Sequence, residues 1–79
     1  QTMDIWNTSG VWEDVPINTL RRGDIIKWNG NMRALLLTDL QQHPTFGTLL
    51  TGFLYVQFKR EAPIMDWSFA RNGMIEKLK

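Results

Sequence analysis

One histidine, eight carboxylates and nine basic residues are the groups of this 79-residue chain that could do chemistry. His43 stands beside Pro44 in a polar stretch, Gln41-Gln42-His43-Pro44. Nucleophilic catalysis needs a base held by an orienting group, with a nucleophile in reach. No serine in a recognisable elbow accompanies His43 and the chain has no cysteine, so the ring reads as an exposed loop residue. Asp24 and Asp66 are the carboxylates that a closed fold would bring nearest each other. Capping of a strand start, or an ion pair with arginine, explains them more simply than a glycosidase-like pair. One histidine without a thiol does not build a usual structural zinc site, and no phosphate-binding glycine loop occurs. The chain therefore reads as non-enzymatic, with no catalytic, cofactor-binding or metal-binding residue expected.

The basic residues are scattered. Arg21, Arg22, Lys27 and Arg33 would share a surface in a small barrel, and beside Trp28 and Tyr55 they would suit a phosphate backbone with stacked bases. Against that nucleic-acid reading stands a formal net charge of only +1, which favours a solvated face balanced by acids. Arg22-Gly23-Asp24 spells an adhesion tripeptide, and Asn7-Thr8-Ser9 matches a glycosylation acceptor. Both are better read as turn chemistry: Gly23 takes a special backbone angle and Asp24 starts a strand.

The aromatic residues are the more telling group: four tryptophans, four phenylalanines and one tyrosine. A domain this small buries only about 60% of its unfolded surface. Without disulfides, large rings must supply the burial, at roughly 150–250 Å² each. Trp6 and Trp12 precede the expected barrel, so they serve either as a lid or as partner anchors. Buried tryptophans are over-represented among interface hot spots. The expected partner contacts are Trp6, Trp12, Phe46 and Phe69, with Arg21 and Arg22 on the rim.

These groups need elements to hold them. Residues 1–19 read as an irregular N-terminal arm, within which Val11–Val15 could form a short strand ended by Pro16. Residues 20–79 read as the folded unit. Asp24–Trp28 alternates as a strand, Asn29-Gly30-Asn31 turns, and Met32–Thr38 returns. Its Ala34-Leu35-Leu36-Leu37 segment is apolar on both faces, which calls for partial cover on the outside. Residues 39–51 read as a long loop or a splayed hairpin. Gly52–Phe58 is a third strand with Leu54, Val56 and Phe58 on one face, Ile64–Trp67 a fourth, and Met74–Leu78 the last. Ser68–Gly73 reads as one helical turn closed by Gly73. Leu54, Val56, Phe58 and Ile26 are the expected core. Short strands, hairpin turns and no long helix make the fold all-β, and about five short strands must curl into a barrel.

The order of these features resembles the SH3-like small β-barrels, in the short form found among phage and bacterial proteins. The features that carry the resemblance are Gly23-Asp24-Ile25-Ile26 after a basic turn, the hairpin at Asn29-Gly30, a hydrophobic second strand, Tyr55-Val56-Gln57-Phe58, and Trp67 followed by a helical turn and Ile75-Glu76-Lys77-Leu78. It covers roughly residues 20–78. It implies an antiparallel barrel serving as a protein-interaction or assembly module, such as a phage structural or accessory component. The acidic loop of the peptide-binding type is missing between the first two strands, as are the extra glycines of the ribosomal type. A protein partner or self-association is expected, with nucleic acid as the alternative and no membrane or small-molecule partner. No signal-peptide pattern and no run of roughly 18 apolar residues is seen, so a soluble chain is the expectation, compatible with cytoplasm or virion and with the compartment left open.

Overall fold

A computed structural model of the chain describes residues 10–29, 32–57 and 63–79. They form strands β1 (Trp12–Pro16), β2 (Ile25–Trp28), β3 (Met32–Leu36), β4 (Gln41–Gln42), β5 (Leu49–Gln57), β6 (Ile64–Ala70) and β7 (Met74–Leu78), with a 3-10 turn at Ile17–Thr19. All seven strands belong to one antiparallel sheet that curls into a half-barrel. The order is β1-β7-β2-β3-β5-β4, and β6 pairs with the other edge of β5. The fold is all-β, as the alternating pattern requires, with seven strands in place of about five.

Register decides which residues face inward. Ile26, Ala34 and Val56 stand opposite one another across β2, β3 and β5, and all three are buried. One step along, Leu36, Leu54 and Met65 continue the inner row. Leu50 opposite Phe69 and Val15 opposite Ile75 extend it. Ile17 and Leu20 complete the core from the 3-10 turn and its end. Side chains alternate along a strand, so Ile25, Lys27, Arg33, Leu35, Phe53, Tyr55 and Ile64 occupy the outer face.

Several expectations meet the structure differently. Residues 12–19 of the expected arm contribute β1 and the 3-10 turn. β1 pairs with β7 over its whole length, and Ile17 N–H donates to Gly73 O at 2.9 Å. The expected helical turn at 68–73 is instead the end of β6 and a reverse turn. Leu49–Thr51 pairs with Ser68–Ala70, and Gly73 N–H closes onto Ala70 O at 3.0 Å without a positive φ at Gly73. Strand pairing outweighs the weak local helical preference there. Of the two readings of 39–51, the splayed hairpin holds: β4 pairs with the start of β5, Gln41 opposite Thr51 and Gln42 opposite Leu50. Trp6, Phe58, most of the turn expected at 59–63, and Gly30-Asn31 of the first hairpin lie outside the described residues.

The Arg21–Asp24 turn behaves as its chemistry demands. Asp24 N–H donates to Arg21 O at 3.1 Å, and the Asp24 carboxylate accepts from Arg21 N–H at 2.8 Å. Gly23 sits at φ +95, the positive value that the third position of a type II turn requires. Its N–H reaches Leu36 O at 2.7 Å, so the turn is stitched to the end of β3. A Cβ added at Gly23 would meet nothing within 4 Å. Gly23→Ala therefore isolates backbone strain from sterics. The expected loss is about 1–2 kcal/mol in urea unfolding.

Candidate functional site

The outer face carries two adjacent rows of different chemistry. The first is cationic and aromatic. β7, β2, β3 and β5 place Glu76, Lys27, Arg33 and Gln57 side by side. Trp12, from β1, reaches over this row. Lys27 Nζ lies 4.5 Å from the Trp12 ring centroid and Arg33 Cζ 5.6 Å from it. Both fall within the range of a cation–π contact. Lys27 also lies 4.0 Å from Glu76, with its side chain 18% exposed and that of Glu76 45% exposed. A partly solvated pair of that kind contributes at most about 1 kcal/mol.

The second row is apolar. Ile25, Leu35, Tyr55 and Ile64 stand directly opposite one another across β2, β3, β5 and β6. The first three are half-buried, while Ile64 is 65% exposed. Next to them Leu37 N–H bonds Phe53 O, and Phe53 is 51% exposed. An outward row on a sheet with one solvated face is ordinarily polar. This one is a continuous greasy strip across four strands.

The expected contact residues separate. Trp12 lies on the cationic row. Phe46 is exposed, its ring 5.2 Å from that of His43. Phe69, expected at a contact surface, is 7% exposed and belongs to the core opposite Leu50. Arg21 and Arg22 sit in the turn before β2. There Arg21 donates to Leu20 O at 3.0 Å, and Arg22 N–H donates to Asp39 Oδ1 at 2.7 Å. Lys27 lies beyond that turn, in β2. Trp28 points inward, opposite in sense to Lys27, with its ring centroid 5.9 Å from that of Trp67. Tyr55 lies in the apolar row. Of the six residues grouped for a nucleic-acid surface, Lys27 and Arg33 stand directly opposite each other, and both lean on Trp12.

His43 lines a shallow concavity of about 410 Å³ with Thr38, Asp39, Thr51, Phe53 and Asp66 among its neighbours. Its Nδ1 accepts from Thr45 N–H at 3.0 Å and Phe46 N–H at 3.1 Å. A neutral ring held this way carries its proton on Nε2. The hydroxyls nearby are also engaged with backbone: Thr38 accepts from Phe53 N–H, and Thr51 donates to Trp67 O. Among the described residues no three His, Asp or Glu side chains gather at metal-binding spacing, and no helix is long and apolar enough to cross a membrane.

Sequence reasoning missed the strip formed by Ile25, Leu35, Phe53 and Ile64 as a surface. Its signal was present in the apolar Ala34–Leu37 run, which has hydrophobic residues facing both ways. Pairing of Trp12 with Lys27 and Arg33 had no local signal, because it depends on β7 lying between β1 and β2. No family model, curated protein or solved structure matches the chain, so its own geometry carries the functional reading.

Proposed function

We propose that this chain is a non-enzymatic protein-interaction or assembly module built on an SH3-like small barrel, of the kind used in phage structural or accessory components. The observation that carries the reading is the outward apolar strip, Ile25–Leu35–Tyr55–Ile64 with Phe53 beside it. Solvent gains nothing from such a strip, whereas an apolar protein surface laid across it would bury the exposed parts of Ile64 and Phe53. Trp12 and the Lys27/Arg33 row form the rim, where charge sets orientation more than affinity.

Capture from a lysate of the source cells with a paired variant tests this. Phe53→Thr combined with Ile64→Thr places a β-branched, strand-favouring residue at two exposed positions, so the melting curve should stay close to that of the wild type. A protein retained by the wild type and by the control Asn18→Ala should bind the double variant at least about tenfold more weakly, the scale of losing one hot spot. Equal retention by all three, or nothing retained by any, would overturn the proposal.

A further inference from the structure

Among the described residues the sheet has three open edges, and they are not equivalent. β4 is two residues long. β1 turns the backbone groups of Trp12, Asp14 and Pro16 outward, since Val11 and Ile17 bond toward β7. A charge and a residue without an N–H blunt that edge. β6 shares the charge, at Asp66, but lacks the proline. Its seven residues, Ile-Met-Asp-Trp-Ser-Phe-Ala, carry one charge and no proline. Arg71 N–H bonds Thr48 O, and Pro63 O accepts from Val56 N–H. By alternation, the backbone groups of Met65, Trp67 and Phe69 point to β5. Those of Ile64, Asp66, Ser68 and Ala70 point away, the Ala70 carbonyl already accepting from Gly73 N–H. Among the described residues no N–H of these four has a partner. Trp67 belongs to the inner row, opposite Gly52, yet is 40% exposed, because the curled sheet ends at β6.

We infer that β6 is the pairing edge for a second copy of this chain, joined antiparallel about a two-fold axis at Trp67. Register follows from charge and parity. Centring on Asp66 would set two carboxylates face to face, which is destabilising. Centring on Ser68 leaves Ile64 beyond the ladder. Centring on Trp67 uses all four outward positions: Asp66 faces Ser68 of the mate and Ile64 faces Ala70. Met65 meets Phe69 and the two Trp67 rings meet at the axis, so the exposed side of each ring is covered by the mate's inner row. The contact is isologous. It consumes the β6 edge on both copies and stops at a dimer.

Three variants in sedimentation equilibrium test the register as well as the dimer. Wild type is expected to associate reversibly. Ser68 is exposed, so changes there spare the fold. Ser68→Lys sets an ammonium opposite Asp66 twice per dimer and should tighten association by about 2- to 30-fold, while Ser68→Asp should weaken it by a similar factor. The chain has no cysteine, so Trp67→Cys gives a single thiol. At a non-hydrogen-bonded antiparallel position its Cα would lie about 4.5 Å from its mate's, within disulfide reach. Mild oxidation should link two chains there. A chain monomeric at every concentration overturns the inference. So do two Ser68 variants that shift association in the same direction, or a Trp67→Cys dimer whose introduced thiols do not cross-link. The inference stands apart from the outer-face reading, since a monomer would leave the Phe53/Ile64 capture result unchanged.

Discussion

Leu54→Ala is expected to lower the unfolding free energy by about 2–5 kcal/mol, the range for deleting three buried carbons and leaving a cavity. Leu54 is fully buried and sits in the inner row between Leu36 and Met65. Collapse around the gap is restricted, because β5 is the strand that pairs with β3, β4 and β6 alike. Domains of this size hold only about 5–15 kcal/mol in total. A loss of about 3 kcal/mol would move the melting midpoint down by roughly 12–24 °C. Scanning calorimetry or urea titration reads this directly. Ile64→Ala, on the same sheet but exposed, should stay within about 0.5 kcal/mol of wild type. Equal effects at the two positions would mean that the inner and outer rows are assigned the wrong way round.

That contrast marks what the sequence made legible. Alternation in Ile25–Trp28 and Gly52–Gln57 placed Ile26, Leu54 and Val56 in the core, and period-two burial is a local property. The basic turn was legible too, since Gly23 and Asp24 close it through bonds within four residues. Long-range decisions were not. Phe69 reads as helical or exposed when only its neighbours are considered. Its burial depends on Leu50, nineteen residues earlier, pairing across β5 and β6. Trp12 reads as part of an arm because Pro16 ends its segment, whereas its strand is fixed by Leu78 at the far end of the chain. The hairpin made the Lys27–Arg33 pair of the cationic row legible, but not the ring above it: Trp12 is distant in sequence and in contact.

Gly52→Val should be the other severe change, through excess volume in place of a cavity. Gly52 is buried in β5, where the inner row passes under the 38–40 segment. A Cβ there would come within 2.8 Å of Leu40 Cδ2 and 3.1 Å of Thr38 Oγ1. Leu40 packs on the core, and its methyl end can shift. Thr38 is less free, because its hydroxyl accepts from Phe53 N–H at 3.1 Å. The segment is tied again through Asp39, which accepts from Arg22 N–H in the basic turn. Valine adds two further methyls to that Cβ, so Leu40 must leave its seat or the strand must move away from 38–40. The expected cost is about 1–3 kcal/mol, typical of overpacking. Leu40→Ala makes the mechanism testable. Alone it should destabilise by removing core contact. Combined with Gly52→Val it should cost less than the sum of the two, since the valine would fill space that the leucine vacated. Strict additivity in denaturant titrations would show that the two side chains never compete, and that the close approach of Leu40 to Gly52 does not govern this end of the half-barrel.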